Sequence, residues 1–404
     1  MFANLEPISV DSVTFFALAG GLAVIAWWRG QRFFLPALAA AGVVLILSWL
    51  DWKDLLAMAL FLPVPYFAAR RLWGRKHSDA GTAIAAVIVW QVILFLIIKR
   101  YSWFDVLGWL DNPVTVIGVS YILFRQIHLV VDSRFLGHLP FSALRYIGYI
   151  LLPWTIIAGP IQRYDTFCVG LDQVGRPKSD QLLVAAHRII NGLLLAFVVA
   201  PIFLEPSSVS NLTHANATWV DFLVVFYGFP TYLYLNFSGY TSIMIGASHL
   251  CGYTTLPENF NHPYLAVNTR DFWNRWHISF GAWIKIYVFT PVCAYLMKAT
   301  TPRYHWIMML VAVLVAFYVV GIWHGTTINY LIFGVLQGVG VVISALFEHM
   351  RKHAWGANRS REFNEVLWFR AASTLVTLHF TCFSFMLLND HPDRLVEGIR
   401  AFFG

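Results

Sequence analysis

Charge is what this sequence has least of. Of its 404 residues, 12% are Asp, Glu, Lys or Arg, against about 25% in an ordinary soluble domain. So few charges cannot cover a water-facing surface, and a content of 58% hydrophobic and 17% aromatic residues points to a lipid-embedded chain. Cysteine is scarce as well. Cys168, Cys251, Cys293 and Cys382 are widely scattered, with neither metal-ligand spacing nor a disulfide framework, so each reads as a small buried hydrophobe. Several chemical signatures are missing. There is no glycine-rich phosphate loop, no H-E-x-x-H helix and no G-x-S-x-G elbow. The apolar runs carry no carboxylate pair at catalytic spacing. A covalent serine or cysteine mechanism therefore has no support in the sequence. Basic residues outnumber acidic ones, 28 to 21; in this setting the excess reads as cytoplasmic loop charge and lipid contact, not nucleic-acid binding.

What is present is a series of apolar runs separated by basic loops. The first, Val13–Trp28, has no Lys or Arg before it and no small-residue cleavage site after it, so it is read as a span and not as a cleaved signal peptide. Arg29 and Arg32 follow it, which sets the N-terminus outside and the first loop inside. Phe33–Leu50 is a second span. Leu55–Ala69 is a third, expected to be kinked or broken at Pro63 and Pro65, and Arg70, Arg71, Arg75 and Lys76 after it are again a cytoplasmic signature. Gly81–Ile98 is a fourth, followed by Tyr101, Trp103 and Trp109, which suit a membrane interface. Val114–Val131 is interrupted by Ser120, Arg125, Gln126 and His128 and should face protein or a water-filled cavity, not lipid. Ala143–Ile157 runs into a Gly159–Pro160 break. Leu182–Leu204, Trp219–Phe237, the small-residue run Phe237–Tyr253, Ile278–Met297, Trp306–Trp323, Ile328–Phe347 and Leu367–Leu388 complete the series. The expectation is a single all-α, polytopic integral membrane domain over residues 1–404 with about eleven membrane segments at roughly 20 residues per full span.

Polar groups in such surroundings are costly unless they have partners or a task. They concentrate between Asn259 and His324. In NTRDFWNRWH, Asn268 is placed to cap a helix beginning near Thr269, with Asp271 three residues on in a box-like arrangement. Asp271 and Arg275 fall at i and i+4 and can pair; Trp273 and His277 have the same spacing and would share a face. Spacing alone leaves two readings open: an interfacial amphipathic helix with tryptophan anchors, or a working site. His324 follows about eighteen apolar residues, a full membrane crossing, and sits between Gly321 and Gly325, read as leaving room beside the imidazole. With an ordinary pKa near 6.5 it can accept a proton at neutral pH, although a buried histidine bonded to a neighbouring carbonyl would look the same. His128, His249 and His379 lack flanking glycines and read as structural.

Taken together, PENFNHPYLAVNTRDFWNRWHISFGAWIKIYVFTP, the later GIWHG, and in the right order before them GVSYILFRQIHLVVD, AGPIQRY and NFSGYTSIMIGAS, resemble the membrane-bound O-acyltransferase family. The resemblance covers roughly residues 110–345, and the DFWNRWH plus WHG combination is its most specific part. It implies a ring of tilted transmembrane helices around a thin centre crossed by a tunnel, with donor and acceptor reaching a buried histidine from opposite sides. It maps the tunnel histidine onto His324 and the second motif histidine onto His277. Trp273, Trp276, Asn261, Trp323 and Arg163 become candidates for substrate contact. No metal and no permanently bound cofactor are expected. The donor would be a phosphopantetheine thioester on a carrier protein, or an acyl-CoA, with Val288, Val292, Leu296 and Lys298 as the carrier-facing surface. The acceptor would be a hydroxyl of an extracytoplasmic cell-envelope polymer, the setting a bacterial cytoplasmic membrane, and an extracytoplasmic acyltransferase a further partner. Two bacterial branches compete, one D-alanylating teichoic acid and one acetylating alginate- or cellulose-like exopolysaccharides. The short length and the run Trp283–Lys298 look like the first, although Lys285 and Ile286 stand where that branch commonly carries an Arg-Asp pair. Outside the family, an envelope-polymer transporter and a structural assembly subunit are the alternatives.

Overall fold

In the computed structural model the described residues are 12–49, 52–75, 80–99, 118–213, 216–325, 327–389 and 392–403. The expected interface aromatics Tyr101, Trp103 and Trp109 lie outside them, as do Lys76 and the start of the Val114–Val131 run. Among these residues the chain is helical, with one isolated β-bridge. Eight helices are long and apolar enough to cross a membrane, and two shorter apolar helices, Phe15–Arg29 and Gln31–Leu47, precede them. The expected count of eleven is not reached among the described residues. The protein is a multi-pass membrane protein.

The chain divides into two compact units, one from Ser9–Gly192 and Tyr240–Pro257, the other from Leu193–Gly239 and Glu258–Gly404. The first holds α1 (Ser12–Arg29), α2 (Gln31–Trp49), α3 (Trp52–Phe61), α4 (Pro63–Leu72), α5 (Ala80–Lys99), α6 (Val119–Asp132), α7 (Ala143–Ile150), α8 (Tyr164–Gln173) and α9 (Ser179–Leu193). The break expected at Pro63 and Pro65 is the α3–α4 junction. Pro65 has no N–H to give to the carbonyl four residues earlier, and that carbonyl, of Phe61, instead accepts from Gln91 Nε2 at 3.0 Å and Gln126 Nε2 at 3.1 Å. Two buried glutamines thus do what the helix cannot.

Helix α6 is buried from Val119 to Val130, so its polar residues face protein as expected. The Arg125 guanidinium donates to the Tyr149 carbonyl at 3.1 Å and to Thr155 Oγ1 at 2.5 Å. His128 is hydrogen-bonded to the Tyr149 hydroxyl, the structural role assigned to it. Helix α7 stops at Ile150, earlier than the apolar run suggested, and Leu151–Gln162 continues as buried irregular backbone. Such backbone is tolerated at membrane depth where protein surrounds it. In α8, burial raises the Cys168 thiol above its ordinary pKa, consistent with an inert small hydrophobe.

The second unit holds α10 (Pro201–Leu204), the first part of α11 (Trp219–Leu250), α12 (Thr269–Arg275), α13 (Ile278–Ile284), α14 (Thr290–Lys298), α15 (His305–His324), α16 (Ile328–Trp355), α17 (Ala357–Glu365), α18 (Leu367–Asn389) and α19 (Pro392–Phe403). Helix α11 joins two segments that the sequence suggested were separate. Helices α15 and α16 form a hairpin packed through glycines. A Cβ on Gly334 would stand 2.5 Å from the Phe317 carbonyl oxygen and 2.8 Å from the Gly321 backbone. Close approach of this kind is what small residues permit between membrane helices.

Candidate functional site

The polar stretch before α12 folds back on the stretch after it. Phe260 bridges Trp276 in antiparallel fashion, with Asn261 N–H donating to the Arg275 carbonyl at 2.9 Å and Ile278 N–H to the Asn259 carbonyl at 3.0 Å. Between these elements α12 forms as its sequence predicts. Asn268 Oδ1 accepts from Asp271 N–H at 2.8 Å, Asp271 Oδ2 accepts from Val267 N–H at 3.1 Å, and Arg275 Nε reaches Asp271 Oδ1 at 2.9 Å.

The helix then ends two residues sooner than its spacing implied. Trp276 is extended and His277 is left-handed, at φ 45° and ψ 53°. Trp273 and His277 therefore do not share a helical face. The physical reason is the bridge to Phe260, which takes Trp276 out of the helix, and a fresh start at α13. Asn259 caps that start from across the bridge: its Oδ1 accepts from Ser279 N–H at 3.2 Å and from Ser279 Oγ at 2.6 Å. Sequence reasoning missed Asn259, because a cap supplied from twenty residues away leaves no local signature.

His324 is the last residue of α15. The flanking glycines do not leave room beside its ring, as the sequence suggested. Gly321 is filled by the backbone of α16, at Gly334 and at the Tyr330 carbonyl, and Gly325 lies against the Tyr330 ring. They let α16 start close beside α15, which fixes His324 at the hairpin's end. Asn329 Nδ2 donates to the Leu387 carbonyl at 2.6 Å and ties that end to α18.

The two histidines, far apart in sequence, line one small cavity together with Leu233, Phe237, Trp276, Phe333, Phe385 and Leu388. Its volume is about 10 Å³, the space of a single water. Both imidazoles are buried, His277 at 2% and His324 at 7% exposure. The Trp323 ring is near both, its centroid 6.1 Å from His277 and 4.7 Å from His324. Phe237 meets His277 edge-on at 4.9 Å and Phe333 meets His324 edge-on at 5.3 Å. Two buried imidazoles in a small space walled by aromatic and aliphatic side chains suit proton transfer to or from a hydroxyl. Beside the cavity Tyr264 donates its hydroxyl to the Pro230 carbonyl at 2.5 Å, and burial raises its pKa well above the ordinary value, so it acts as a fixed donor.

The other candidates have separate settings. Trp276 lines the cavity and packs on Phe272 and Phe385 at 5.6 and 5.1 Å. Trp273 stands behind it, its Nε1 donating to Gln337 Oε1 at 2.9 Å, while Gln337 Nε2 donates to Ser384 Oγ at 2.6 Å. Asn261 is exposed beside His262. Arg163 belongs to the other unit, where it pairs with Asp132 at 3.1 Å and Asp165 at 3.5 Å. Val288, Val292 and Leu296 are half-buried and Lys298 is exposed, on a helix with a π-turn at Lys285–Phe289, where Thr290 Oγ1 bonds the Lys285 carbonyl at 2.7 Å. Among the described residues no group of three or more His, Cys, Asp or Glu could hold a metal ion. The aliphatic and phenylalanine wall of the cavity was not visible in the sequence, since one more apolar residue in an apolar run carries no contrast.

Comparison with known proteins converges on one kind of protein. The profile of the MBOAT, membrane-bound O-acyltransferase, family matches residues 128–388. A teichoic acid D-alanyltransferase of Bacillus subtilis is 27% identical over 95% of this chain and 98% of its own length. One from Streptococcus thermophilus is 27% identical over 78% of this chain and 84% of its own. A probable alginate O-acetylase of Pseudomonas fluorescens is 26% identical over 93% of this chain and 72% of its own.

Proposed function

Because the chain belongs to the membrane-bound O-acyltransferase family, it is an O-acyltransferase, and we propose that it moves a D-alanyl group from a thioester on a cytoplasmic carrier protein to a hydroxyl of a teichoic-acid-like polymer outside a bacterial cytoplasmic membrane. The family sets aside the transporter and assembly-subunit alternatives. The observation that carries the reading is the meeting of the two motif histidines, His277 and His324, in one small buried cavity. In this reading His324 takes the proton of the acceptor hydroxyl as its oxygen attacks the thioester carbonyl. The tetrahedral intermediate then collapses, the carbon–sulfur bond breaks, and the imidazolium returns the proton to the leaving thiolate. His277 orients the acceptor. Trp276 and Trp323 shape the passage.

The D-alanyl group is favoured over acetyl by coverage. The chain spans 98% of the Bacillus relative but 72% of the Pseudomonas one, at nearly equal identity. Acetylation of an exopolysaccharide is the second reading, and it keeps the same histidines with another donor. The test uses purified, reconstituted protein with labelled D-alanyl-carrier thioester and, in parallel, acetyl thioester. Wild-type protein should transfer the D-alanyl label to polymer. His324→Ala should insert and purify normally yet lose about 10²–10⁴-fold in rate, the usual worth of a general base. Near wild-type turnover in that variant removes His324 from the chemistry, and transfer of acetyl alone replaces the first reading with the second.

A further inference from the structure

A second cavity, of about 860 Å³, lies between α12, α16, α17 and α18. Helix α16 begins beside His324 and reaches this cavity further along, at Gly340–Arg351. Arg351 lies roughly 35 Å from the helix start at 1.5 Å per residue. The size is that of a small-molecule site, and the lining has a definite charge pattern.

Four arginines and three carboxylates line it. Arg270 pairs with Glu348, Arg275 with Asp271 at 2.9 Å, and Arg370 with Glu365 at 3.3 Å. Arg351 remains. Its Nε donates to Ser360 Oγ at 2.9 Å, and the guanidinium sits over the rings of Phe347, Phe363 and Phe369 at 5.4–5.8 Å. It is only 7% exposed, and its Nη1 is buried without a hydrogen-bond partner among the described residues. Ring faces stabilise a cation but leave its N–H edge unsatisfied. A buried guanidinium without a counter-ion is costly, and Arg351, which makes no ion pair among the described residues, lines this cavity.

The rest of the wall says what that counter-ion is attached to. Ile343, Val376 and Phe380 are apolar and belong to α16 and α18, both long enough to cross a membrane. Trp368 marks the start of α18 at the cavity rim, as tryptophans do at the headgroup level. Arg359 and Arg361 on α17 are exposed next to it, the kind of basic segment that attracts anionic lipid. We propose that this cavity binds one anionic phospholipid, its phosphodiester on Arg351 and its chains against the apolar faces of α16 and α18. A net negative headgroup is favoured, because the lining holds four arginines against three carboxylates and one of these, Glu348, also pairs with Lys352. A free phosphate would make no use of the apolar wall. The occupant would also brace α12, whose residues from Asn268 to Arg275 form one side of the cavity.

The test is lipid retention by the full chain in detergent, read by native mass spectrometry after exchange with phosphatidylglycerol or with phosphatidylcholine, which is net neutral. Wild-type protein should retain phosphatidylglycerol in preference. Arg351→Gln should weaken retention about ten- to a hundred-fold, the worth of a charge-assisted hydrogen bond. Ala372→Trp, on the exposed wall of α18, should narrow the space against the apolar wall and weaken retention while leaving Arg351 and its aromatic cage intact. Equal retention of the two lipids, or retention unchanged in both variants, overturns the proposal. Displacement of phosphatidylglycerol by millimolar inorganic phosphate overturns it too, by making the site one for the headgroup anion alone.

Discussion

His277 stands in the left-handed region at φ 45°, where a residue other than glycine carries about 1–3 kcal/mol of strain. The Phe260–Trp276 bridge and the Asn259 cap hold it there, which turns the imidazole toward the cavity shared with His324. Strain retained at a site that a glycine would relieve implies that the side chain has a task. Under the proposed function that task is orienting the acceptor hydroxyl. His277→Gly tests it more cleanly than alanine, because glycine keeps the backbone conformation without penalty. Transfer to polymer should fall about 10²-fold, as expected for a misplaced reactant, while slow hydrolysis of the thioester by water should change far less. Kinetics with and without acceptor separate the two rates. An equal fall in both would place His277 on the donor side or in the fold.

At the scale of elements, the α15–α16 hairpin sets where His324 sits, and its glycines set the hairpin. Gly334→Ala would drive a methyl into the Phe317 carbonyl and the Gly321 backbone. The helices must part, at about 1–3 kcal/mol for overpacking of this kind. Gly20→Ala in α1, with open space around the new carbon, should be neutral or slightly stabilising. Thermal unfolding in detergent should therefore show a lower midpoint for the first substitution alone; equal shifts would mean that the hairpin is not limited by this contact. Elements are also where the sequence was most and least informative. The α12 cap, the Asp271–Arg275 pair and the proline break at α3–α4 were legible because each is a short-range pattern with a direct physical cause. The buried face of α6 was legible because Arg125 and His128 cannot face lipid. The end of α12 at Arg275 was not, because it depends on a bridge to Phe260 that no local spacing encodes. Nor was the purpose of Gly321 and Gly325, since a glycine beside a histidine reads the same whether it makes room for a ligand or for a helix.

For the molecule as a whole, the proposed transfer to an external polymer would need a donor that arrives from the cytoplasm, and the long phosphopantetheine arm of a carrier protein would suit a thioester delivered into a buried cavity. Under the proposed function the helix from Ile278 to Lys298 is the surface proposed for it. Val288, Val292 and Leu296 fall at four-residue intervals along it, Ile286 and Tyr295 are exposed at 41% and 74%, Lys298 is exposed at its end and Arg303 is exposed in the turn that follows. Carrier proteins are commonly acidic, so apolar contact flanked by cations gives both steering and grip. Val292→Asp places a like charge against an acidic partner in the middle of that surface. Carrier affinity should drop about tenfold or more, as for the loss of a central contact residue, and transfer from the carrier thioester should drop with it. A small soluble thioester, which needs no docking surface, should be turned over at the wild-type rate, and that result also shows the variant to be folded. Unchanged carrier affinity would move the docking site elsewhere on the protein. Loss of both activities would assign Val292 to the packing of the helix and not to recognition.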